Sequence, residues 1–350
     1  MPNAAVDLFC GIGGLTHGLQ LAGIDVIAGI DIDDSCKYAY EKNNEARFLN
    51  KNVTDVTSDE IMELYPNDCV RILVGCAPCQ PFSKYTKRYR KKGHTDDKWK
   101  LLYSFSSLVQ QTLPDIISME NVPELIKESV YNDFVANLEQ LGYFISSTIV
   151  YCPQYGVPQN RKRLVLLASR FGDIKLIDPL YAEDNYITVR QAIGDLPPIE
   201  DGVCDKNDPM HRSCKLSKVN IARIKQSVQG GSWRDWQPEL RLKCHKKDSG
   251  KGYSSVYGRM SWDFPSPTIT TQFYGYGNGR FGHPEQNRAL SLREGAILQS
   301  FPRDYDFIED ESKFNKKELG VHIGNAVPVQ LGRAIGLSIQ NHLTEVGYND

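Results

Sequence analysis

No apolar run in the 350-residue chain approaches the ~18 residues a membrane-spanning helix needs, so no membrane association is expected. The first residues also lack a basic stretch followed by an apolar core, and a glycine-rich turn begins by Gly11. No signal peptide is therefore expected, and the expected location is cytoplasmic. An excess of charge of one sign is missing too. The 41 Lys and Arg against 43 Asp and Glu leave a net charge of −2, which argues against indiscriminate coating of nucleic acid. Local patches, which set the field that a phosphate feels, stay free to bind it. The nine cysteines are an odd set without the spacing of a disulfide framework, as expected in a reducing compartment. Cys76 and Cys79 form one C-x-x-C, but a second pair or two histidines at zinc-site spacing are absent, so no metal is expected. A thioredoxin-like redox pair stays open on this motif alone. Internal repeats and low-complexity tracts are absent as well.

What is present reads first as alternating strands and helices. Ala4 to Phe9 predicts a strand, followed by the turn Cys10–Gly14 and an amphipathic helix with Leu15, Leu19 and Ala22 on one face. Val26 to Ile30 predicts a second strand ending at Asp31. Further strands are expected at Ile72–Val74, Ile116–Met119, Ile145–Val150 and Leu164–Ala168. Several are apolar throughout, as in a parallel sheet covered on both faces. After about Asp178 prolines, glycines and polar residues cluster, which suggests a smaller, loop-rich lobe. Regular structure returns near Leu290, where Ser291-x-x-Glu294 is a capping box, and a last helix is expected from about Val329 to His342.

Three stretches carry chemistry. Asp7-Leu8-Phe9-Cys10-Gly11-Ile12-Gly13-Gly14 runs from strand to glycine turn to helix, a place where backbone amides can approach an anionic group. Asp31 ends the next strand 18 residues after Gly13, where an acidic side chain can hold ribose hydroxyls. Thr16 occupies the third glycine position of the nicotinamide fingerprint, and a plain tight turn is the competing reading. Gly75-Cys76-Ala77-Pro78-Cys79-Gln80-Pro81-Phe82-Ser83 follows another strand, at the sheet end where open α/β folds place ligands. A cysteine there is ordinarily a small buried hydrophobe. Beyond it, Lys84 to Lys100 hold eight Lys/Arg against two Asp, interleaved with Tyr85, Tyr89 and Trp99. A cationic and aromatic loop beside a candidate nucleophile suits phosphates and bases.

Together these stretches resemble a bacterial DNA (cytosine-5) methyltransferase. Phe9-x-Gly11-x-Gly13-Gly14 is similar to the family's S-adenosylmethionine turn, and Pro78-Cys79-Gln80 to its nucleophile motif. Glu120-Asn121-Val122, Gln159-Asn160-Arg161-Lys162-Arg163, Arg288 through Pro302, and Gly324-Asn325-Ala326-Val327-Pro328 follow in the family's order. Each motif alone is weak; six in register are not.

The resemblance implies an α/β fold: a doubly wound, mostly parallel sheet of the class I S-adenosylmethionine-dependent type with a smaller loop-rich target-recognition lobe. Residues 1–178 with 320–350 would form the catalytic and cofactor domain, 179–287 the recognition lobe and 288–319 a connecting hinge. It implies that Cys79 adds to carbon-6 of a cytosine extruded from duplex DNA, and that a methyl group passes from S-adenosylmethionine to carbon-5. Carbon-5 is a poor nucleophile until such an addition, and a thiolate performs it well. Glu120 would serve the ring nitrogen at position 3, and Arg163 the 2-oxo group, with Arg161 and Gln159 supporting the loop and the backbone. The sequence names no base for the carbon-5 proton, and water is the expected acceptor. Phe9, Gly11, Gly13, Gly14, Asp31, Asp55, Val56, Pro78, Leu101 and Asn325 would line the cofactor, although the family more often has Glu where Asp31 stands. Ser83, Lys87, Arg88, Arg90, Gln159, Thr270 and Thr271 would contact DNA. Around them Trp233, Arg234, Trp236, Arg241, Lys251, Tyr253, Tyr257 and Arg259 are expected to divide between base or phosphate contacts and the lobe's own core. A monomer in the bacterial cytosol or nucleoid, with duplex DNA as partner and a functionally linked restriction endonuclease, completes the expectation. An RNA cytosine-5 methyltransferase on the same scaffold and a DNA-binding protein that has lost catalysis are the alternatives.

Overall fold

In the computed structural model, which describes residues 2–78, 99–250, 252 and 255–348, two compact units emerge. The first comprises residues up to Tyr151, Lys162–Pro179 and the stretch from Val327 onward. The second comprises Cys152–Arg161 and Leu180–Ala326. Residues 288–319, expected as a hinge, fall inside the second unit.

The first unit is built on strands β1 (Asn3–Leu8), β2 (Val26–Asp31), β3 (Arg47–Asn50), β4 (Val70–Gly75), β5 (Ile116–Asn121), β6 (Phe144–Tyr151) and β8 (Lys162–Ser169). A two-residue strand, β7 (Gln159–Asn160), precedes β8 and belongs to the second unit. The seven-stranded sheet has the order β3-β2-β1-β4-β5-β8-β6. Helices α1 (Gly14–Leu21), α2 (Lys37–Asn43), α3 (Ser58–Leu64), α4 (Lys100–Thr112) and α5 (Ser129–Gln140) lie between successive strands. The continuous apolar runs of β1, β4 and β5 have the cause read from the sequence: their residues are buried on both faces.

The mostly parallel expectation holds for β1 to β5, with one local exception that matters. β8 runs antiparallel to both β5 and β6, with Glu120 opposite Val165 and Asn121 opposite Leu164. The start of β8 therefore meets the carboxyl end of β5. The strand order reverses between β1 and β4, whose last residues pair as Leu8 with Gly75. A ligand crevice forms at such a switch point, outside the carboxyl ends of the strands.

The last helix, α10 (Val329–Glu345), returns to α1. Two glycines permit this close approach: a Cβ at Gly18 would meet Val329 O at 2.3 Å, and one at Gly332 would meet Leu15 O at 3.0 Å. Leu15 and Leu19 of α1 and Leu331, Ile335 and Ile339 of α10 are all buried, each worth about 1.5–3 kcal/mol.

The second unit has little regular structure. It holds α6 (Val189–Ile193), α7 (Lys218–Gln226), α8 (Leu292–Leu298) and α9 (Lys316–Asn325), and β7 pairs with the equally short β9 (Ser266–Pro267). The capping box read at Ser291 and Glu294 opens α8. Ile224, Trp233, Trp236, Tyr276 and Ala289 form a small core. Its keystone is Arg259, only 5% exposed, whose guanidinium donates to the carbonyls of Ile224, Ser227, His283 and Gln286 and to Asn287 Oδ1. Desolvation lowers its pKa, and carbonyl dipoles supply the compensation that a carboxylate ordinarily would. Trp233, Trp236 and Arg259 are thus scaffold, whereas Arg234 is exposed and Arg241 and Tyr257 are half-buried. Lys251 and Tyr253 lie outside the described residues.

Candidate active site

At the end of β1 the backbone turns sharply. Phe9, Gly11 and Gly13 all have left-handed φ, at 62°, 50° and 85°. For Phe9 that conformation costs about 1–3 kcal/mol, a strain that clusters at ligand sites. Asp31 organises this turn from the neighbouring strand. Its Oδ2 accepts from Gly11 N at 2.9 Å and its Oδ1 from Asp33 N at 3.0 Å. Gly14 begins α1 and is buried, with Gly13 as N-cap. A Cβ at Gly11 would meet nothing within 4 Å, so open space borders the turn. The amides of Phe9, Cys10, Gly11 and Gly13 are spent within the protein, so it is the open turn and the acidic strand end that fit an adenosine-bearing ligand, as S-adenosylmethionine is. Asp55 is exposed, and Val56 lines a cavity of about 440 Å³ with Ile30, Asn50 and Leu64. Leu101 is half-buried on the first turn of α4, and Pro78 is exposed.

Beneath the turn lies a group that the sequence reading passed over. Asp7, 1% exposed, accepts a hydrogen bond from Thr16 Oγ1 at 2.7 Å, and Thr16 Oγ1 is 3.1 Å from Tyr40 Oη. The other Asp7 oxygen is buried with no hydrogen-bond partner among the described residues. Burial, relieved in part by Thr16, pushes the Asp7 pKa up to about 7. The signal was Thr16 itself: a hydroxyl where the nicotinamide fingerprint has glycine.

Cys76 N donates to Leu8 O at 3.3 Å, so the loop after β4 starts beside the glycine turn. From β5, the next strand over, Asn121 Nδ2 donates to Ala77 O at 3.0 Å and ties that loop down. Glu120, the preceding residue, is 1% exposed. Its Oε2 accepts from Cys76 Sγ at 2.8 Å, and its Oε1 lies 2.8 Å from Arg163 Nε. That approach is an ion-pair contact without aligned hydrogen-bond geometry, and Glu120 Oε1 accepts no hydrogen bond among the described residues. The antiparallel direction of β8 makes the pairing, because it brings Arg163 back to the carboxyl edge, where Glu120 is the penultimate residue of β5. Cys79 lies one residue past the last described position of this loop. Cys79, Ser83, Lys87, Arg88 and Arg90 all lie outside the described residues.

The remaining expected residues belong to the second unit. Gln159, expected at DNA, is instead completely buried with its amide spent inside the protein. Its Nε2 donates to Leu298 O and Gln299 Oε1, and its Oε1 accepts from Ile269 N at 2.8 Å. Arg161, 4% exposed, donates to Ile269 O and Gln159 Oε1. These two side chains brace the segment that leads to Thr270 and Thr271. Thr270 is exposed and Thr271 half-buried, as a surface contact requires. Gly324 gives this segment its place on α9, since a Cβ there would come within 2.5 Å of the Thr270–Thr271 backbone. Asn325 is the exposed last residue of α9, and α10 starts after Pro328.

The family model for C-5 cytosine-specific DNA methylase matches residues 4–341. The Type II methylase M.HgiDII of Herpetosiphon aurantiacus is 55% identical over 347 residues, covering 98% of this chain and 96% of its own length. The Type II methyltransferase M1.BsuMI of Bacillus subtilis (strain 168) is 30% identical over 352 residues, 95% of this chain and 79% of its own. Among solved structures, a candidate DNA modification methyltransferase from an E. coli prophage superposes with a TM-score of 0.74 at 21% identity. That match covers 98% of this chain and 99% of the other, and it carries the fold.

Proposed function

Because the chain belongs to the C-5 cytosine-specific DNA methylase family, we propose that the carboxyl-edge site methylates carbon-5 of a cytosine within a short specific DNA sequence, with Cys79 as nucleophile. The supporting observation is the buried Glu120–Arg163 pair beside an open glycine turn, at the edge from which the Cys79 loop leaves β4. The Cys79 thiolate adds to carbon-6, forming one S–C bond and moving the ring's π electrons toward carbon-5. Glu120 answers that shift with a proton at ring nitrogen 3, and Arg163 holds the 2-oxo oxygen. S-adenosylmethionine, when bound along Phe9, Gly11, Gly13, Asp31 and Val56, supplies the electrophilic methyl group. The carbon-5 proton leaves to water, and breaking the S–C bond returns the Cys79 thiolate.

Within a duplex the ring is out of reach, so the base is extruded at a cost of a few kcal/mol. The Ser83–Lys100 loop with Lys87, Arg88 and Arg90 contributes phosphate contacts to that state. Replacing those three with alanine reduces the slope of log affinity against log salt by about 3, and an unchanged slope removes the loop from the DNA contact. The enzyme acts as a monomer in the cytosol beside a functionally linked restriction endonuclease.

Incubating plasmid DNA and RNA with the purified protein and labelled cofactor, then sequencing the 5-methylcytosines, tests the reading. One short sequence context in DNA is expected, with Cys79→Ala inactive. Methylation confined to RNA, or activity surviving Cys79→Ala, overturns it.

A further inference from the structure

The two carboxylate oxygens of Glu120 are treated differently. Oε2 receives the Cys76 thiol at 2.8 Å, while Oε1, equally buried, faces Arg163 Nε without a hydrogen bond among the described residues. A carboxyl group needs its proton on the oxygen that faces the base, and a fixed donor at one oxygen makes that oxygen the acceptor. A buried oxygen left without a partner costs about 1–3 kcal/mol, which a ligand arriving there recovers.

We propose that Cys76 is a positioning residue for catalysis: its thiol holds Glu120 Oε2 and leaves Oε1 as the oxygen that serves the cytosine. This rests on the proposed role of Glu120. Two backbone ties hold the thiol in place. Cys76 N is bonded to Leu8 O, and Asn121 Nδ2 fixes the next carbonyl, so Glu120 and its neighbour grip the same dipeptide by side chains on opposite faces of β5. The assignment also gives the first cysteine of the C-x-x-C a use that requires no redox chemistry: it acts as a hydrogen-bond donor.

A double-mutant cycle tests it under single-turnover methyl transfer. Cys76→Ala lowers kcat about tenfold with cofactor and DNA affinities within twofold, the size of one hydrogen bond. Cys76→Ser, which keeps a donor, returns to within about threefold of wild type. In a Glu120→Gln background, Cys76→Ala changes the rate by less than about twofold, because the group it positions is gone. An equal loss in both backgrounds, or no loss in the first, overturns the inference. If Glu120→Gln itself keeps the wild-type rate, the reading of Glu120 fails instead, and the two failures stay distinct. An infrared difference spectrum of wild type minus Cys76→Ser supplies a readout independent of turnover. A lowered S–H stretching frequency that rises in Glu120→Gln supports the contact, and a free-thiol frequency in both rejects it.

Discussion

Among the described residues, two buried glutamates pair with an arginine, and the pairs are built to opposite standards. In the second unit, Arg288 donates to both oxygens of Glu294 at 2.7 and 2.8 Å, and Ser291 N adds a third bond at 2.7 Å. Burial raises the Glu294 pKa, but Arg288 and His283 overcome it and hold the carboxyl down to about 2. At the edge of the first unit, Glu120 meets Arg163 through one Nε contact at 2.8 Å, and Oε1 accepts no hydrogen bond among the described residues. The complete pair can only be scaffold, because no capacity is left over. The incomplete pair keeps capacity for a substrate. Burial and charge alone would rank the two alike; hydrogen-bond accounting separates them.

That contrast can be broken in four ways, starting with the largest effect. Arg288→Ala leaves Glu294 buried and unpaired, so chemical denaturation is expected to show a loss of about 3–5 kcal/mol. Glu120→Gln is expected to lower kcat about a hundredfold while stability moves by less than about 1 kcal/mol. If Arg288→Ala costs little stability, or Glu120→Gln costs mainly stability, the two pairs have been assigned the wrong way round.

Asp7 provides the third test. Its pKa is about 7 in the folded chain against an ordinary 3.8, so its contribution is complete below pH 3.8 and is lost as pH rises through 7. The stability of Asp7→Asn relative to wild type should therefore grow by about 2–3 kcal/mol from pH 5 to pH 8. A gap independent of pH would mean that Asp7 is ionised as readily folded as unfolded. The smallest effect is the acid limb of Glu294. Its folded pKa lies below the unfolded one, so its stabilisation is present above pH 4.5 and fades as pH falls toward 2. Between pH 4.5 and 2.5, wild type should lose about 2 kcal/mol more than Glu294→Gln.

Much of the first unit was legible because its strands are short apolar runs and its turn is marked by Phe9, Gly11 and Gly13. The direction of β8 was not legible. Leu164–Ala168 is apolar whichever way it runs, and only pairing with β5 and β6 decides. Its reversal is what places Arg163 on Glu120. Gln159 misled because a polar residue in a basic motif reads as a DNA contact, whereas its amide is consumed by Ile269, Leu298 and Gln299 far along the chain. The contacts of Asp7 and Cys76 were illegible for a related reason: their partners, Thr16 and Glu120, are nine and 44 residues away. In the loop-rich unit, the tryptophans gave no sign of whether they were core or contact, since the same residue types serve both.

The most direct test uses a DNA duplex carrying 5-fluorocytosine at the methylated position. Fluorine cannot leave carbon-5 as the proton does, so the S–C bond formed at carbon-6 persists. Peptide mass spectrometry is expected to place the adduct on Cys79, with formation about a hundredfold slower in Glu120→Gln and unchanged in folded Glu294→Gln. An adduct on another residue, or one formed at the wild-type rate without the Glu120 carboxyl, would contradict the account.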